Sequence, residues 1–146
     1  MSATNAFETS LLTLLFNNTN IANIGDATGV RGSTAAGSMY ISLHTADPGE
    51  AGTQTTSEAT YTSYARVAVA RSGAGFTIAS ANVSNAAVVT FPTCTAGSNT
   101  ITHFGIGTAS SGAGDLLFKG ALTASLAVSA GIAPQFAVGE LDVNAD

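Results

Sequence analysis

The chain has 146 residues, only 9% of them charged, and four basic residues against nine acidic ones leave a net charge of −5. A length of this order fits one domain that buries most of its apolar surface without a metal or disulfide staple. Arg31, Arg66, Arg71 and Lys119 are too few cations to neutralise a run of phosphates, so nucleic acid is excluded as a partner.

From Asn5 to Phe16 the segment "NAFETSLLTLLF" predicts an amphipathic helix, with Phe7, Leu11, Leu14 and Leu15 on one face and Asn5 and Glu8 in capping-box positions. The start lacks the basic leader of a signal peptide, and "LLTLLF" is far short of the roughly 18 apolar residues a membrane span needs. Neither secretion by that route nor membrane insertion is expected. The helix should end at "NNTN", because asparagine suits turns better than helix interiors, and a glycine-spaced linker "IGDATGVRGSTAAG" follows. Residues 1–37 thus read as a helix and linker arm, and 38–146 as a β domain.

Strands are expected at 39–44, 64–71, 75–79, 86–91, 100–108, 115–119, 122–128 and 136–143, where β-branched and aromatic runs alternate with Gly, Ser, Asn and Pro. In "RVAVAR", Val67 and Val69 point one way and Arg66, Ala68 and Ala70 the other, as a strand with one covered face requires. The expected fold class is all-β and mainly antiparallel, a jelly-roll-like sandwich or barrel of about eight strands with one N-terminal amphipathic helix. Cys94 is the sole cysteine, which rules out an internal disulfide and a cysteine zinc site and suits a small buried residue in a reducing cytosol.

"LHTADPGEAG" places His44 and Asp47 three residues apart before a Pro-Gly pair. Pro48 fixes its own φ and pushes Asp47 into an extended conformation, Gly49 tolerates a positive φ, and the aspartate can accept backbone hydrogen bonds inside the loop. Asp47, Pro48 and Gly49 therefore read as a structural turn. His44 closes the preceding strand on its more polar face with Tyr40 and Ser42. A zinc triad of His44, His103 and Asp47 is conceivable, but nothing in the spacing demands it, and both histidines are read as structural. "GIGTASSGAG" precedes a strand and opens no helix, so it reads as a hairpin loop and not a dinucleotide fingerprint. No Gly-x-Ser-x-Gly elbow or P-loop lysine occurs, and Asp115, Glu140 and Asp142 fall by turns or on alternating strand faces. No catalytic residue, cofactor or metal site is expected. Phe7, Leu11, Leu14, Leu15, Tyr40, Tyr61 and Tyr64 are the candidates for an oligomer or capsid interface.

The stretch "LHTADPG" followed by "EATYTSYARVAVA", with "THFGIGTASSGAGDLLFKGAL" downstream and the helix upstream, resembles a family of small structural proteins of tailed bacteriophages and prophages. The resemblance spans roughly Phe7 to the end and implies a virion component without enzymatic residues. Small size, few charges, a rigid β body and an apolar helix suit a decoration (cement) protein that binds the assembled head lattice through many modest contacts. That reading expects the major capsid protein as partner, a homotrimer, synthesis in the host bacterial cytoplasm and a place on the outer head surface. A tail-fibre or receptor-binding protein is the alternative, although the chain has no tryptophan for stacking sugars and no room for a long shaft.

Overall fold

The computed structural model describes residues 2–144. In chain order the elements are α1 (Asn5–Asn17), β1 (Ser38–His44), β2 (Val67–Ala70), β3 (Phe76–Ala79), β4 (Asn82–Asn85), β5 (Val89–Thr90), β6 (Ser98–Gly107), β7 (Leu116–Ser129), β8 (Gln135–Phe136) and β9 (Asp142–Asn144). The fold is mainly antiparallel β with one N-terminal helix. Its sheets are open, in the orders β2-β1-β6-β7, β3-β4-β9 and β5-β8, and none closes into a barrel among the described residues. The chain divides into two compact units, one of Met1–Ser38, Ala70–Val88 and Phe136–Asp146, the other of Met39–Val69 and Val89–Gln135.

In the first unit the helix starts one residue before the expected capping box. Thr4 is the N-cap and accepts a hydrogen bond from the Phe7 amide at 3.4 Å. The buried side chains are Leu12, Leu14 and Phe16, whereas Phe7 and Leu11 are exposed and Leu15 is half-buried. The covered face is therefore rotated from the Phe7/Leu11/Leu14/Leu15 stripe. Thr9 and Thr13, which a hydropathy pattern scores as polar, are half-buried, with their hydroxyls bonded back to the Asn5 and Thr9 carbonyls at 2.7 and 2.6 Å. Phe16 meets Phe76 of β3 edge-on, with ring centroids 4.8 Å apart.

The helix ends at Asn18, in the left-handed region at φ 54°. Arg71 then binds its last turn. Its guanidinium donates to the Leu15 carbonyl at 2.6 Å, the Leu14 carbonyl at 2.9 Å, the Ala36 carbonyl at 3.0 Å and the Ser33 hydroxyl at 3.1 Å. A cation at the carbonyl end of a helix is favourable, and the same side chain fixes the linker. The linker carries its own order: Ile21 and Val30 exchange two backbone bonds of 2.9 Å, and Asp26 accepts from Thr28 and Gly29 amides. Those two amides hold the Asp26 carboxyl below the usual carboxylate range.

β4 was not expected, since "NVSN" is polar. Its asparagines are consumed by side-chain bonds: buried Asn85 donates to the Ala87 and Ala137 carbonyls and accepts from the Leu141 amide, all at 2.8–2.9 Å. Asn82 donates to Asp142 and Asn144 of β9. The single strand expected at 136–143 is two short strands separated by a turn, where Gly139 adopts φ 80° and Glu140 accepts from the Ala137 amide.

In the second unit β1 pairs antiparallel with β6, and β6 with β7. Its apolar core includes Ile41, Leu43, Tyr61, Phe91, Ile101, Phe104 and Ile106. The two strands expected at 115–119 and 122–128 form one strand of 14 residues, β7. Gly120 does not break it, because the Phe104 ring lies over the position and a Cβ there would come within 2.6 Å of that ring. β1 alternates less than expected, with Ile41, Ser42, Leu43 and His44 all buried.

Candidate functional site

The end of β1 and the loop that leads from it to β2 hold the most chemically equipped side chains of the second unit. His44 is fully buried. Its Nδ1 lies 2.8 Å from the Thr56 carbonyl, which can only accept, so Nδ1 carries the proton and Nε2 accepts from the Ser42 hydroxyl at 2.8 Å. Burial depresses the imidazole below its ordinary 6.5. Gly105 on β6 makes this arrangement possible, since a Cβ at that position would stand 2.7 Å from both His44 Nε2 and Ser42 Oγ. His103 faces His44 in the strand register but bonds the Thr102 hydroxyl at 2.9 Å. With both His44 nitrogens engaged, no lone pair remains for a metal. Among the described residues no three metal-ligating side chains converge.

Asp47 accepts from the Gly49 amide at 2.9 Å, and Gly49 adopts φ 74°. Lys119 Nζ bridges Asp47 and Glu50, at 3.1 Å from each. The Gly49 amide and Lys119 hold the Asp47 carboxyl low, while Asp47 and Glu50 raise the ammonium. This loop and residues 116–119 of β7 border a shallow groove of about 220 Å³.

A second cluster carries more order. Arg66 binds Glu58 through two nitrogens at 2.7 and 2.8 Å, and donates to the Ala109 carbonyl at 2.9 Å and the Gly112 carbonyl at 2.8 Å. The Arg66 side chain is 2% exposed and that of Glu58 15%. The bond to Glu58 raises the guanidinium above its ordinary value. Tyr64 donates to Glu58 and accepts from the Leu43 amide, each at 3.0 Å, and burial pushes its phenol far up. Gln54, fully buried, accepts from the Ala109 amide at 2.9 Å. Together these side chains fasten the 108–115 connection to the motif loop.

Of the other expected interface residues, Tyr61 is buried. Its hydroxyl donates to the Pro92 carbonyl at 3.0 Å, and burial raises the phenol to about 12. Tyr61 and Tyr64 meet edge-on at 5.3 Å, and Tyr64 stacks on Phe91. Tyr40 is half-buried, Leu14 is inside, and Phe7 and Leu11 remain at the surface. Sequence reasoning passed over Glu58, Arg66, Gln54, Arg71 and Asn85. The available signal was scarcity: in a chain with four basic residues, an arginine eight positions after a glutamate within one motif is worth pairing.

The clusters are saturated with internal bonds, and no buried side-chain polar atom lacks a partner among the described residues. Their chemistry is that of fasteners. A family model described as Podophage GP4 fiber I protein gp80 matches residues 2–144. The chain belongs to this family. Membership in the Podophage GP4 fiber I protein gp80 family makes it a bacteriophage structural protein, and the match favours the tail-fibre reading over head decoration. Among curated proteins none matches. No helix of the described residues is long and apolar enough to cross a membrane.

Proposed function

We propose that this chain is a non-enzymatic subunit of a phage tail fibre. The observation that carries the reading is the match of residues 2–144 to a fibre-protein family. The site chemistry supports it. His44, Glu58, Arg66 and Gln54 spend their hydrogen-bonding capacity inside the fold, which suits a part whose task is to keep its shape. Gold-labelled antibody against the chain, applied to purified particles and viewed by electron microscopy, tests the assignment. Label on the tail is the expected result, together with loss of fibre density and of host adsorption in particles made without the protein. Label arrayed over the head would overturn it.

A further inference from the structure

Beside the Arg66–Glu58 pair the second unit holds a cavity of about 230 Å³, bounded by Glu58 and residues 64–66 on one side and by residues 110–112 on the other. That is room for one ring-sized molecule, below the usual range of drug-sized pockets. Its far wall is fixed before any ligand arrives. Arg66 donates to the carbonyls of Ala109 and Gly112, at 2.9 and 2.8 Å, and Gln54 accepts from the Ala109 amide, so Ser110 and Ser111 are carried between two fastened residues. A wall ordered in advance spares a ligand the entropy cost of freezing a loop. Both serines are exposed, and neither hydroxyl bonds another group among the described residues.

The lining also selects the chemistry that fits. Arg66 and Glu58 neutralise each other, and the Tyr64 phenol keeps its proton and donates it to Glu58. An anion entering the cavity would meet the Glu58 carboxylate and a cation the guanidinium, with no net charge to favour either. What stands free is neutral hydrogen-bonding capacity: two serine hydroxyls, each a donor and an acceptor, and one acceptor position on Glu58 Oε2, which accepts a single bond from Arg66 while Oε1 accepts two. Ala65 adds an exposed methyl group. A ligand that answers this set carries neighbouring hydroxyls along one edge, each able to donate and accept, with C–H groups beside them. A pyranose ring has that pattern, whereas a peptide needs a longer trough. No exposed aromatic face lines the cavity, so each site binds weakly, on the order of 1 mM, and firm attachment needs many copies acting together.

We propose that the cavity between Glu58, Ala65 and Ser110–Ser111 is a binding site for one neutral sugar residue. The proposal rests on the fibre reading for its biological sense, but its test uses the purified full chain, so label over the head and an empty cavity overturn different statements. The chain, labelled with ¹⁵N, is titrated to about 50 mM with methyl α-D-glucopyranoside, methyl β-D-galactopyranoside, methyl α-D-mannopyranoside and N-acetylglucosamine, and with glycerol and sodium phosphate as controls. At least one sugar should give saturable shifts of the amides of Ala65 and residues 110–112, and neither control should. Ser110→Val and Ser111→Val should each weaken that sugar by about fivefold or more, with circular dichroism unchanged. Ala65→Leu, which fills the cavity from an exposed position, should abolish the shifts. No response to any of the four sugars, shifts centred elsewhere, an equal response to glycerol or phosphate, or binding that survives Ala65→Leu would overturn the site.

Discussion

Arg66 and Glu58 form a largely buried ion pair in which each charge is useful only while the other is present. Arg66→Met strands the Glu58 carboxylate and leaves the Ala109 and Gly112 carbonyls without their donor, at an expected cost of about 3–5 kcal/mol in urea unfolding. The double variant Glu58→Leu/Arg66→Met should lose distinctly less than the two single losses combined, because no uncompensated charge remains. His44 sets a pH dependence of definite sign. Its folded-state pKa lies below its unfolded one, so its contribution is fully present above about pH 6.5 and is lost as pH falls from there toward the lowered folded value. Unfolding free energy measured from pH 7.5 to 5 should drop on the acid side with a slope of at most about 1.4 kcal/mol per unit from this group, and His44→Gln should flatten that slope.

At the scale of elements, the sequence yielded the helix, most strands and the switch from a 3.6 period to a 2 period, all of which follow from hydropathy. Much of what it concealed has one cause: polar side chains that satisfy one another count as interior. Ser42 and His44 make β1 buried on both faces, Thr9 and Thr13 turn the helix, and Asn82 and Asn85 build a strand from a segment that reads as loop. Gly120 misled in the other direction, since a glycine inside a strand can mark a seat for a neighbouring ring as readily as a break. Gly105 is the sharper case. Gly105→Ala would press a methyl group against His44, Ser42 and Leu116, and a loss of about 1–3 kcal/mol in thermal unfolding is expected, with little change in far-UV circular dichroism.

For the molecule as a whole, the phage structural class was legible as a resemblance running from about Phe7 to the end of the chain, while its place on the particle was not, because a neutral surface encodes no chemistry that names its partner. The first unit is assembled from three separate stretches of chain, and the N-terminal stretch puts Leu12, Leu14 and Phe16 into its interior. Deleting residues 2–37 removes these side chains, Phe16 from the Phe76 ring among them, and takes from Arg71 its helix-end acceptors. Hydrogen exchange should then show amides of β3 and β4 losing protection, with β1 and β6 largely unaffected. Cys94, completely enclosed and the only thiol, gives such experiments an internal chronometer. An aromatic disulfide reagent in excess can colour the solution only as fast as the surrounding fold comes apart, so the appearance of thiolate absorbance times that opening without any added label.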